Sequence, residues 1–337
     1  MFKKALCLCL CLLALIPCAL AEGEDTLVIK SFQRIDQVVE QVQNSTAPVI
    51  DITATSIATD KVRQLQQTFP DRTFLYRVRA FGHHILWDTD TLDIGYSEYK
   101  KITSLTEVMD LLPNLTEVTT YGRVFTDQEL CDLKAAYPNV TFHCKFRMAH
   151  HTIRTDLTAF CTRHAKYTEK RHTQEDFIAF RHCPDLKALD VGHNAVTDIS
   201  FLQELPKLQI LIMADNQITD LEPIRYQNEL VYLELIHNDI TDISPLADLT
   251  ELIDLHIGKC NITDFSPLYG LQKLDRLWLG GNPITEEQLA ELQAHLPNTT
   301  INSTAITYPT AEGWRQGHPR YLKIVEIFGN DKYIPFP

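Results

Sequence analysis

LKALDVGHNAVTDISFL at Leu186–Leu202, LQILIMADNQITDLEPI at Leu208–Ile224, LVYLELIHNDITDISPL at Leu230–Leu246 and LIDLHIGKCNITDFSPL at Leu252–Leu268 are copies of one unit. A truncated fifth, LDRLWLGGNPIT, opens at Leu274, so the first leucines recur every 22 residues. A fixed period of this size is the sequence mark of a solenoid. In the third copy the apolar positions are Leu230, Leu233, Leu235, Ile240, Ile243, Leu246 and Leu249. Leu233 and Leu235 have strand spacing, because alternate residues share a face. Seven apolar side chains cannot offset the ordering of a whole coil, so a single copy is unstable and only a stack folds.

Polar positions repeat as strictly. Asn194, Asn216, Asn238 and Asn282 follow the strand where backbone groups leave the sheet and need partners, which predicts a stacked asparagine ladder. Cys260 takes that place in the fourth copy and, as a weak donor, predicts a weaker rung. The Thr-Asp pairs beginning at Thr197, Thr219, Thr241 and Thr263 read as turn residues that bond nearby backbone. Pro223, Pro245 and Pro267 keep the outer segment from becoming a long helix.

The pattern LxxLxLxxNxITDIxPLxxL resembles the 22-residue leucine-rich repeat of the internalin class, found on secreted and surface proteins of Gram-positive bacteria. The resemblance covers about residues 186–285 and implies an α/β solenoid with a parallel sheet on its concave face. Phe201 in place of the proline, Gln227 in place of the last leucine and Glu287 in place of an apolar residue depart from it.

Residues 22–180 hold a quieter duplication. FPDRTF at Phe69–Phe74 matches YPNVTF at Tyr137–Phe142, an offset of 68, and His83-His84 matches His150-His151 with a slip of a residue. Each copy reads as strand, helix, strand and a further strand after a turn, with a capping box at Thr126–Glu129 in the second. Another capping box at Thr285–Gln288 precedes a similar helix. The layout, longer helix-containing repeats before the 22-residue ones, resembles extracellular leucine-rich-repeat proteins of gut clostridia. Cys161–His182 reads as a basic surface linker or short helix, carrying Arg163, Lys166, Lys170, Arg171 and His172. The expected domains are thus a leader at 1–21, the irregular region at 22–180, regular repeats at 186–300 and a cap at 301–337. In the cap, Trp314, Tyr321, Phe328, Tyr333 and Phe336 are expected to close the open end of the solenoid; a Gly-Trp-Arg and His-Pro-Arg-Tyr tail like this one accompanies the family.

The first 21 residues read as a cleaved secretory signal, with Lys3 and Lys4, an apolar run from Ala5 to Ile16 and a small-x-small site at Ala19–Ala21. Lipoprotein anchoring at Cys18 is disfavoured by Pro17. The expected location is therefore secreted or at the cell surface, with no membrane insertion after cleavage. Removing the leader takes two positive charges from a net −13 and leaves −15, which argues against nucleic acid as a partner. Four of the nine cysteines leave with it, and the remaining five are an odd number, so no full disulfide scaffold is expected.

The concave face is the expected binding surface, because its side chains alternate with the core leucines. One column runs Asp190, Ile212, Glu234, His256 and Trp278; its neighbour runs Ala188, Ile210, Tyr232, Asp254 and Arg276; His193, Asp215, His237 and Lys259 lie near the strand ends. Tyr232, Glu234, His237, Asp254, His256, Arg276 and Trp278 are the candidate contacts for a protein partner, Trp, Tyr and Arg being the types enriched at binding hot spots. The competing reading of Trp278 is that the tail covers it. No catalytic motif is present, and Asp254 with His256 near Glu234 is the nearest approach to an acid–base pair. No cofactor or metal is expected: adjacent residues of a strand face opposite ways, so His83-His84 and His150-His151 offer one ligand each. The role read from the sequence is macromolecular, chiefly protein, binding without catalysis; a self-associating envelope scaffold is the alternative.

Overall fold

Strand spacing in each 22-residue copy becomes three residues of β-structure, and the copies pair in strict register. The structure, a computed structural model, describes residues 25–31, 34–162, 171–304 and 313–336. The leader at 1–21, including Cys18, lies outside the described residues, as do Arg163, Lys166 and Lys170 and part of the cap. The chain divides into two compact units, 1–116 and 117–337.

In the first unit, β1 (Thr26–Val28), α1 (Ile35–Gln43), β2 (Val49–Ile57), α2 (Thr59–Thr68), β3 (Thr73–Ala80) and β4 (His83–Leu86) precede β5 (Thr91–Gly95) and α3 (Ile102–Met109). The sheet order is β1-β2-β3-β4, parallel except for the β3–β4 hairpin. The second unit opens with the same motif: β6 (Glu117–Phe125), α4 (Asp127–Ala136), β7 (Thr141–Met148) and β8 (His151–Arg154). Every one of these four elements starts 68 residues after its counterpart β2, α2, β3 or β4. The register shift between Asp51 and Ser56 recurs between Thr120 and Val124. The slip read from the histidine pairs is thus absent from the backbone: His83 corresponds to His151, and His150 sits in the turn. Thr126 and Glu129 form the expected capping box.

The rest of the second unit is an α/β solenoid. Its parallel sheet runs β9 (Ala159–Cys161), β10 (Ala188–Asp190), β11 (Ile210–Ile212), β12 (Tyr232–Glu234), β13 (Asp254–His256), β14 (Arg276–Trp278) and β15 (Thr300–Asn302) in sequence order. Short 3-10 turns return each coil, from Ile178–His182 to Ser266–Leu268, before α6 (Glu286–His295). The sheet begins one strand before the regular period. Ala159 pairs with Ala188, and the segment read as a surface linker buries Phe177, Phe180 and His182 behind α5 (Gln174–Phe177). Leu189, Leu211, Leu233, Leu255 and Leu277 are fully buried in one file.

The asparagine ladder forms as read. Asn238 Nδ2 donates to Leu235 O (2.8 Å) in its own coil and Met213 O (3.0 Å) in the coil before, while its Oδ1 accepts from Ile218 N (3.0 Å). Asn216 and Asn282 repeat this pattern. At Cys260 only longer thiol contacts reach Leu235 O (3.7 Å) and Gly258 O (3.5 Å). Asp198, Asp220, Asp242 and Asp264 each accept from the backbone N–H two residues on, at 2.8–2.9 Å, and so start the 3-10 turns. Cys131, Cys144, Cys161, Cys183 and Cys260 are not joined in disulfides. Among the described residues no helix is long and apolar enough to cross a membrane.

Candidate functional site

Alternation puts Tyr232 and Glu234 on the sheet face opposite Leu233, and the same rule aligns Asp254, His256, Arg276 and Trp278 beside them. These six side chains were expected to meet solvent. They do not: Tyr232, Glu234 and Asp254 are fully buried, His256 is 1%, Trp278 6% and Arg276 8% exposed. The C-terminal segment lies on them. Trp314 packs on Tyr232, His256 and Trp278 with ring centroids 5.5, 5.0 and 5.6 Å apart. Ile324, Ile327 and Phe328 of α7 (Pro319–Asn330) join a core with Ala188, Ile210 and Ile212. The aromatic tail therefore covers the face of the sheet, and Trp278 lies under it as the tail-covering reading has it.

The polar members of the wall are paired with that segment. Glu234 accepts from Arg315 (2.6 Å), Trp314 Nε1 (3.0 Å) and the Tyr232 hydroxyl (3.0 Å). Burial pushes its carboxyl pKa up, but the Arg315 guanidinium together with His256 and the Trp314 N–H outweighs this and holds it below the usual value. Asp254 takes two bonds from Arg276 (2.9 and 2.7 Å) and an ion pair from Arg320 at 2.8 Å. Arg276 also donates to Trp314 O and lies over the Trp314 ring. The nearest approach to an acid–base pair is thus dismantled: Asp254 is engaged by two guanidiniums, and His256 stands apart from it. His256 Nδ1 accepts from Gly258 N (3.2 Å), leaving a buried Nε2 without a hydrogen-bond partner. Burial, reinforced by Arg315 and Arg276 against the opposing pull of Glu234, lowers its pKa to about 4.

Of the candidate contacts only His237 is open, at 54% side-chain exposure. It belongs to a row that sequence reading noted only as flanking the columns. His193, Asp215, His237 and Lys259 occupy the same place in successive coils, each with φ between 50° and 61°, and Gly281 follows at 85°. Asp215 links its neighbours, accepting from His193 Nδ1 (2.9 Å) and lying 2.8 Å from His237 Nδ1 as an ion-pair partner. The turn geometry holds these side chains beside the covered wall, one per coil.

The reading that each histidine pair offers one metal ligand also fails at the second pair. His150, in the turn after Ala149 (φ 48°), and His151, first in β8, place their rings on one side, 4.0 Å apart, and His172 joins them.

Internalin C2 from Listeria monocytogenes is 25% identical over 64% of this chain and 80% of that one, with a TM-score of 0.37. A second Listeria monocytogenes internalin is 18% identical over 82% and 91%, TM-score 0.37, and a Leptospira interrogans LRR protein 18% over 78% and 74%, TM-score 0.39. No curated protein matches the chain significantly. Residues 184–226, which hold the first two regular copies, match the family described as Leucine Rich repeats (2 copies).

Proposed function

We infer that this is an exported, internalin-like leucine-rich-repeat protein that binds another protein without catalysis, and that the contact surface is the strand-end row rather than the centre of the sheet. The observation that carries the reading is the row itself. A side chain at positive φ costs about 1 kcal/mol relative to glycine, and such strain gathers where function holds it. Gly281 takes the same conformation in the last coil, yet the four coils before it keep His193, Asp215, His237 and Lys259 there. Two imidazoles joined through one carboxylate, followed by an ammonium, form a polar strip that suits a hydrogen-bonding protein surface. Export rests on the leader read at residues 1–21.

Capture from host and bacterial surface extracts by the full chain tests this. The variant His193→Gln/His237→Gln/Lys259→Gly should lose the captured partner while melting no lower than the parent does. Trp278→Ala should lower the melting temperature instead. Capture unaffected by the triple change overturns the assignment of the surface. The second reading, self-association, draws on Leu322 and Val325, which α7 leaves 59% and 51% exposed; a monomer by light scattering at high concentration removes it.

A further inference from the structure

Three imidazoles converge where the second long unit meets the first strands of the solenoid. The His172 ring lies 4.8 Å from that of His150 and 5.3 Å from that of His151. One nitrogen from each can be chosen so that all three lie within 4.8 Å of one another. His151 Nε2 and His172 Nε2 are 3.3 Å apart. Imidazole nitrogens bound to zinc at about 2.0–2.1 Å with tetrahedral angles are separated by about 3.3 Å. Two of the three ligands already span an edge of that tetrahedron.

The surroundings orient these rings as ligands. His172 Nδ1 donates to Asp176 Oδ2 at 3.0 Å, which fixes the tautomer and leaves the Nε2 lone pair directed at His151. Metal-binding histidines are commonly held by such a carboxylate. Asp176 is itself fixed in the capping box with Thr173. The backbone of His172 is pinned on both sides, its N–H to Asn194 Oδ1 (3.0 Å) and its carbonyl to Ala195 N (2.9 Å). Phe160 and Phe177 pack against His151 and His172 at 5.4 and 5.6 Å. The other cluster of ligand-type side chains, Asp127, Cys131 and His182, is differently placed: Arg181 already pairs with Asp127 and puts a positive charge where a cation would sit.

We propose that His150, His151 and His172 form a three-nitrogen site for a divalent transition metal of the zinc class, with Asp176 as the positioning residue. His150 is the exposed member of the set and His172 the buried one. The metal would join the β7–β8 hairpin to the chain entering the first regular coil.

The test is titration of the chelator-treated full chain with zinc chloride by calorimetry and with cobalt(II) by visible absorption. A single saturable site is expected, with four-coordinate cobalt bands, no sulfur charge-transfer band and a higher melting temperature. His151→Gln and His172→Gln should each weaken binding by about 100-fold, and Asp176→Asn by about 10-fold. His150→Gln, in the exposed turn, keeps the fold intact and should weaken it by about 10-fold. Cys131→Ser and His182→Gln should change nothing. Absence of saturable binding, or affinity that survives both His150→Gln and His151→Gln, overturns the site.

Discussion

The centre of the sheet and the row at its strand ends carry similar residue types and follow the same 22-residue period, yet they have opposite fates. Tyr232, Glu234, Asp254, His256, Arg276 and Trp278 are sealed under Trp314, Arg315 and α7, while His237 stands in solvent beside them. Hot-spot composition therefore does not identify a binding face. A Trp, a Tyr and an Arg on an open sheet are as well suited to receive the chain's own helix as another protein, and an intramolecular partner is always present at high effective concentration.

The largest effect should come from breaking the seal. Arg315→Ala leaves Glu234 charged and buried without its counter-ion, and the solenoid should lose about 3–5 kcal/mol in urea denaturation. An unchanged midpoint would mean that the tail lies loosely on the wall. Acid should act on the same region. His256 has a folded pKa of about 4 against an ordinary value of 6.5, so below pH 6.5 the unfolded chain binds the proton that the folded chain refuses. Stability contributed by the neutral ring is complete above pH 6.5 and is lost as pH falls toward 4, by up to about 3 kcal/mol. His256→Phe should flatten that part of the stability profile; a profile that keeps its slope assigns it to other groups.

Smaller changes sharpen the contrast. Cys260→Asn restores the missing rung of the ladder and should add about 1 kcal/mol, seen as a higher denaturation midpoint at unchanged slope. In the strand-end row, Lys259→Gly should stabilise by up to about 1 kcal/mol through relief of the positive φ, and His237→Gln should shift stability by no more than about 0.5 kcal/mol. A large loss in either would make the row structural rather than a surface for contact.

The coil was legible because its determinants are local or one repeat apart. Each asparagine bonds its own coil and the one before, and each aspartate bonds the amide two residues on. The duplication of the long motif was legible too, although the histidine pairs misled by one residue because side-chain identity drifts at turns while backbone spacing is kept. The first strand of the sheet was missed, since β9 lacks the repeat signature and declares itself only by pairing with β10. The convergence of His150, His151 and His172 was not legible for a related reason: strand alternation does not apply to His150, which lies in a turn.

From its sequence alone this protein had to wind as stacked coils, because the 22-residue pattern places an apolar file, an amide ladder and a turn-starting carboxylate in each copy, and all are satisfied by nearest neighbours. Which face of the stack stays open was decided only by tertiary structure. Arg315 meets Glu234 from 81 residues away and Tyr333 N–H meets Thr158 from 175 away. No periodicity encodes contacts between a repeat and a segment that does not repeat.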